Sequence, residues 1–230
     1  MAIEYRITLD DEHTFSYRIE MDREYDREVA AQAPKWTRLE HQRCVNCPLS
    51  RDEFSHCPAA VDLHRVIEDF QGLPAVQKAR VWVRTPEREY NKMVGLDEGL
   101  RALLGVIMAT SAGPVLGKLR PMAQQHLPFA SNHEFVLRAV SLYLARQYFN
   151  LREGRHADWE LRGMVHSFQK LQLVNQAFWQ RIHDTCHGDS NLKAFLTFFS
   201  MASSLTCSLE TQLQKIRPLV MSAGEGVEVA

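Results

Sequence analysis

The chain has 230 residues, 45% hydrophobic and 24% charged, the make-up of an ordinary globular protein and enough length for one large domain or a large one with a small appendage. Its 27 basic and 28 acidic residues leave a formal charge of −1, which excludes bulk positive charge as a means of gathering nucleic acid or an anionic membrane. The most apolar stretch, Leu100 to Pro114, falls short of the roughly 20 residues a membrane-spanning helix needs, and Met1–Asp11 lacks the apolar run of a signal peptide. The expectation is a cytoplasmic protein with no membrane segment.

In chain order, Tyr5-Arg-Ile7-Thr-Leu9 and Phe15-Ser-Tyr17-Arg-Ile19-Glu-Met21 alternate apolar and polar residues on either side of Asp10–Thr14, which predicts a β-hairpin. After a charged stretch, Asp22 to Glu28, comes the cysteine segment. Pro58 at a first-turn position, followed by Val61, Leu63, Val66, Ile67 and Phe70, predicts a helix over 58–71 that Gly72-Leu-Pro74 ends. Ala79–Thr85 reads as a strand with Arg80, Trp82 and Arg84 on one face and Val81 and Val83 on the other. A lone hairpin is only marginally stable, so this third strand is expected to join it.

Beyond Pro86 the pattern turns helical, with helices expected over 88–111, 114–126, 131–150, 157–186 and 190–217. Ser131-Asn-His-Glu134 has the spacing of a capping box for the third of these. The fold class is therefore α+β: a small N-terminal antiparallel sheet of about three strands with a cysteine-rich segment, fused to a predominantly α-helical body of about five helices. The expected organisation is a sheet region over 1–87 and a helical body over 88–218, together one compact unit, with a disordered tail over 219–230. The aromatic and methionine positions of the last two helices (Trp159, Phe168, Phe178, Trp179, Phe195, Phe198, Phe199 and Met201) are expected in the core.

The strongest chemical signal is the clustering of Cys44, Cys47 and Cys57, three of the five cysteines, within residues 44–57. A Cys-x2-Cys pair turns two thiolates toward one point and a third closes a short loop onto it, which suits a soft metal or an iron–sulfur cluster. In a reducing cytosol such a set is metal-binding or redox-active rather than a disulfide framework. His41 precedes Cys44 by three residues, His56 adjoins Cys57, and His64 lies in the following helix, so each is a candidate fourth ligand. Zinc accepts three cysteines and a histidine in closed sites. Cys47-Pro48 and Cys57-Pro58 match instead the cysteine–proline step of ferredoxin-type runs. Zinc is favoured, with an iron–sulfur cluster serving as a redox or gas sensor second and plain reduced thiols third.

Weaker groupings favour structural readings. His183-Asp-Thr-Cys186-His187 places two histidines one turn apart, but cationic residues gather at helix C-termini in any case. Arg120, His126 and His133 lie where Pro121 and Pro128 break a helical region, a corner that could line a pocket or simply turn the chain. Lys78, Arg80, Arg84, Arg88 and Lys92 surround Trp82 as a nucleic-acid face would, but alternate arginines on a strand usually serve as a solvated edge, and Glu87 and Glu89 dilute them. Nucleic acid is accordingly not the expected partner. No phosphate-binding loop, Gly-x-Ser-x-Gly, Gly-x-Gly-x-x-Gly or His-Glu-x-x-His occurs.

The runs Arg43-Cys-Val-Asn-Cys-Pro-Leu49, His56-Cys-Pro-Ala59 and Arg120-Pro-Met-Ala-Gln-Gln-His-Leu-Pro-Phe-Ala-Ser131 resemble an uncharacterised bacterial family of domains of unknown function. The resemblance implies a free-standing bacterial protein identified by its cysteine run and its Pro-Met-Ala…His-Leu-Pro-Phe run. If both serve one site, His126 joins His41 and His56 as a partner of the three cysteines.

The leading expectation is a non-catalytic metal-binding protein whose ion pins the N-terminal segment to the helical body. The competing class is a metal-dependent enzyme, with an open coordination position near His126 and Arg120 to bind an anion. A third class is an interaction module, with a two-fold homodimer as its assembly. The sequence names no small-molecule ligand.

Overall fold

Apolar–polar alternation builds an antiparallel sheet in the order β2-β1-β3-β4, from β1 (Ala2–Thr8), β2 (Thr14–Glu20), β3 (Lys78–Arg84) and β4 (Glu89–Gly95). The structure is a computed structural model and describes residues 1–185, 189–207 and 209–222. In β1 the register sets Tyr5 opposite Tyr17 on one side and Val83 on the other. Ile3, Tyr5, Ile7, Val81 and Val83 are fully buried, while Arg80 and Arg84 point outward. The period of two thus separates a core face from a charged face.

The fourth strand is a correction, since a helix was expected from residue 88. Thr85 turns the chain at Pro86: its amide donates to the Arg88 carbonyl at 2.8 Å, and its hydroxyl accepts from the Arg88 amide at 3.0 Å. That hairpin returns Glu89–Gly95 along β3, with Tyr90 opposite Val83 and Val94 opposite Ala79. Ladder pairing overrides the helix-forming tendency of Glu89, Lys92 and Met93.

The chain divides into two compact units, Met1–Phe129 with Lys170–Phe199, and Ala130–Gln169 with Ser200 onward. In the first unit, the sheet packs against α3 (Leu96–Thr110), which in turn meets α2 (Pro58–Asp69). A Cβ on Gly99 would sit 2.8 Å from Val81 Cγ2, so glycine is what lets α3 approach β3. A short helix, α1 (Arg27–Gln32), precedes a 3₁₀ turn at Lys35–Thr37, both unexpected because each is brief. The region expected as a helix over 114–126 is a 3₁₀ turn (Leu116–Leu119) and α4 (Arg120–Gln124), broken by its glycine and proline.

The same unit holds the C-terminal part of α6 (Arg162–His183) and the start of α7 (Asp189–Cys207). Phe178, Ile182 and Phe195 are buried there. Ser190 Oγ donates to the Phe70 carbonyl at 3.1 Å and Asn191 Nδ2 to the Ile67 carbonyl at 3.0 Å, satisfying acceptors at the end of α2.

In the second unit, α5 (Asn132–Arg152) opens with the expected capping box: Ser131 Oγ accepts from the Glu134 amide and Glu134 accepts from the Ser131 amide. Phe135 meets Phe168 edge to face at 6.2 Å, and Asn132 Nδ2 donates to Gln212 Oε1 of α8 (Leu209–Met221) at 3.2 Å. The helix expected over 157–186 begins only at Arg162, where Asp158 Oδ2 accepts from the Gly163 amide at 2.7 Å. That turn leaves Trp159 52% exposed, against the expectation that it is core. The side chains of Phe198, Phe199 and Met201, and the tail from 223 onward, lie outside the described residues. No described helix is long and apolar enough to cross a membrane.

One partly buried ion pair makes stability depend on pH. Arg23 Nη1 lies 3.4 Å from Asp62 on α2, while its Nη2 donates to the Ile107 carbonyl at 2.5 Å and Thr110 Oγ1 at 2.8 Å on α3. Burial pushes the Asp62 carboxyl up from 3.8 to about 6, against the pull of Arg23 and His64. The folded state therefore holds this proton more tightly than the unfolded chain. Its contribution is full below pH 4 and is lost as pH rises through 6. Between those limits stability should fall by about 2–3 kcal/mol, and Asp62→Asn should flatten that slope in urea denaturation followed against pH.

Candidate functional site

The three cysteines lie on a loop whose ends are clasped. Leaving the 3₁₀ turn, the chain forms an isolated antiparallel bridge between Arg38 and His56. The Leu39 amide donates to the Ser55 carbonyl at 3.0 Å, and the Cys57 amide donates to the Thr37 carbonyl at 2.8 Å. Cys57 is thereby fixed as the N-cap of α2, with Pro58 after it, where the helix dipole favours a thiolate.

Within the loop, the Cys47 amide donates to the Cys44 carbonyl at 3.0 Å, closing a turn between the two cysteines. Arg43 braces it, donating to the Leu49 carbonyl at 2.7 Å and pairing with Glu40 at 3.1 Å. Asn46 Nδ2 donates to the Lys170 carbonyl at 2.9 Å, and Gln42 Nε2 donates to Asp184 Oδ2 at 2.7 Å, which ties the loop to both ends of the α6 segment. Gln42 takes a left-handed φ of 46° to make that turn.

Beneath the loop lies Arg181, 2% exposed and among the largest fully buried side chains. Its Nη1 donates to the Trp36 carbonyl at 2.5 Å and the Arg38 carbonyl at 2.8 Å. The guanidinium interacts electrostatically with all three thiols. Among the described residues it has no carboxylate partner, and its buried Nε lacks any hydrogen-bond acceptor. Sequence reasoning missed this residue. The available signal was its spacing, three residues after Phe178 and seven after Val174, which are buried positions of the same helix face.

The three thiols are free and partly buried. Burial pushes Cys44 up to about 12, helped by repulsion from Cys57 and Cys47 and opposed by Arg181. Burial also raises Cys57, while Arg181 and the Ala59 and Ala60 amides pull it down. As free groups Cys44 and Cys57 are neutral thiols at physiological pH. Among the described residues, no group of three or more His, Cys, Asp or Glu side chains is arranged as a ready metal shell.

The candidate histidines separate. His41 has a buried Nε2 with no hydrogen-bond partner. Burial lowers its pKa, and Arg181 lowers it further against the pull of Asp184. His56 uses Nδ1 on Ser55 Oγ at 2.9 Å, and His64 Nδ1 donates to the Val61 carbonyl at 2.6 Å. His126 is brought to the sheet, where its Nε2 bonds the hydroxyl of Tyr5 on β1. Arg120 pairs with Asp22 at 3.5 Å. His183 stacks on Trp179 at 4.9 Å, and Cys186 and His187 lie outside the described residues.

Two members of the basic stripe have acidic partners, and its aromatic residue is covered. Arg84 lies 3.5 Å from Glu89, Lys92 lies 2.9 Å from Glu98, and the Arg6 guanidinium covers the Trp82 ring at 4.9 Å. A base would have to displace Arg6 before stacking there.

Neither a curated protein nor a solved structure matches the chain. A family model does match, over residues 3–220, and the chain belongs to the family described as a domain of unknown function, DUF6901.

Proposed function

We propose that this is a cytoplasmic bacterial metal-binding protein in which Cys44, Cys47 and Cys57 hold one soft divalent ion, zinc by preference. The observation that carries this reading is the buried Arg181 guanidinium, which lacks a carboxylate partner among the described residues and interacts with all three thiols. A lone buried charge costs several kcal/mol unless it is compensated. The groups beside it that can become anionic are these sulfurs, and they ionise when a metal coordinates them. Three thiolates on a divalent ion carry a net charge of about −1, which one guanidinium neutralises. Ion binding would draw the sulfurs into a shell they do not yet form. In this reading the cysteine run and the Arg120–Ser131 run are identifying motifs of the family, and the protein assembles as a homodimer.

An iron–sulfur cluster is the second reading, favoured by the proline after Cys47 and Cys57. An enzyme with an open position beside His126 would need that imidazole at the thiols, whereas its Nε2 is engaged by Tyr5, so a non-catalytic role is adopted. Metal analysis of protein purified without oxygen tests all of this. About one zinc per chain is expected. Iron with acid-labile sulfide and visible absorption would move the assignment to a cluster, and absence of both would overturn metal binding.

A further inference from the structure

We infer that His41 completes the metal site through Nε2, making it a closed centre of three cysteines and one histidine. The inference rests on the metal reading above and deepens it by naming the fourth ligand. Two independent observations lead to it.

The first is an unpaired lone pair. His41 Nε2 has lost contact with water and has no hydrogen-bond partner, and it is the one imidazole nitrogen among the described residues in that position. Buried polar atoms without partners are few in native proteins and call for a cause. Coordination to an ion supplies one, with the imidazole proton on Nδ1. Tyr5 already takes Nε2 of His126, whereas Ser55 and the Val61 carbonyl take only Nδ1 of His56 and His64, so His41 is set apart by the burial of its unpaired Nε2. His41 also lies on the clasped loop itself, three residues before Cys44, and shares Arg181 as an electrostatic neighbour with all three thiols.

The second is charge. A divalent ion with three thiolates is balanced by Arg181, so the remaining ligand must be neutral. A fourth thiolate or a carboxylate would leave an uncompensated negative charge beside the buried guanidinium. A neutral imidazole leaves none. A site closed in this way keeps no open position for water or substrate, which makes the ion structural.

Cobalt(II) titration of the full chain without oxygen tests the assignment, because tetrahedral cobalt has intense visible bands and sulfur-to-cobalt charge transfer reports the thiolates. Wild type and His56→Ala should give the same tetrahedral spectrum. His41→Ala should keep the charge-transfer bands but weaken the visible bands as water enters, and bind on the order of 100-fold more weakly. His41→Cys, which restores a ligand, should regain the tetrahedral bands with stronger charge transfer. Equal spectra and affinities for wild type and His41→Ala would overturn the assignment while the metal reading stood. Wild-type protein that takes up neither cobalt nor zinc would overturn both.

Discussion

Arg181→Met is expected to destabilise the metal-loaded protein by about 3 kcal/mol or more, and the metal-free protein by considerably less. In both states the substitution strands the Trp36 and Arg38 carbonyls that accept from Nη1. Hydrogen bonds from a charged donor contribute roughly 1.5–3 kcal/mol each. In the metal-free state part of that loss is returned, because the guanidinium is a buried cation with no carboxylate partner among the described residues and removing it relieves a desolvation cost. In the loaded state nothing is returned. On the metal reading proposed above, the charge lost is the one that balances the thiolate–metal centre, and methionine would leave that centre as an uncompensated anion. Urea denaturation of both proteins with and without bound metal measures the difference directly. Equal destabilisation in the two states would mean that Arg181 is only a clamp on the 3₁₀ turn and takes no part in the charge of the site.

What the sequence revealed follows from how local each signal is. The capping box at Ser131–Glu134 and the faces of β3 depend on residues within a few positions of one another, and both were legible. β4 was not, because Glu89, Lys92 and Met93 are good helix formers and only the ladder to β3 outweighs them. The start of α6 was misjudged because Leu161 takes a φ of 61°, a turn that apolar periodicity does not report. At the candidate site the contrast is sharper. The cysteine run is contiguous and was visible, whereas Arg181 is contributed from α6, far along the chain. An arginine at a buried position of an amphipathic helix is the only trace it leaves. His41 was one of several histidines with suitable spacing, and spacing alone could not rank them. The structure sets His126 aside, since Tyr5 holds its Nε2, and marks His41 by its buried Nε2 without a hydrogen-bond partner.

Cys44→Ser, Cys47→Ser and Cys57→Ser should each bring metal per chain well below that of wild type and lower the melting temperature on the order of 10 °C when the metal is in large excess over its dissociation constant. The size follows from linkage: an ion present at 1,000 times its dissociation constant adds about 4 kcal/mol to the folded state, and a chain of this length shifts by roughly 2–4 °C for each. The three losses should resemble one another because each removes one thiolate from the same ion. A chelator should reproduce them in wild type and add little in the variants. Cys57→Ser should also disturb the chain most without metal, since Cys57 is the N-cap of α2 and its amide closes the clasp onto Thr37. Serine is itself a good N-cap, so that disturbance should stay near 1 kcal/mol or below. Cys207→Ser and Cys186→Ser are the controls, expected to keep the metal. Cys186 lies two residues after Asp184, which holds the loop through Gln42, so it is the more searching of the two. Loss of metal from Cys186→Ser equal to that from the N-terminal variants would mean that the segment after α6 supplies a ligand, and the neutral-ligand argument for His41 would fail with it. Full metal retention in all three N-terminal variants would remove the site altogether.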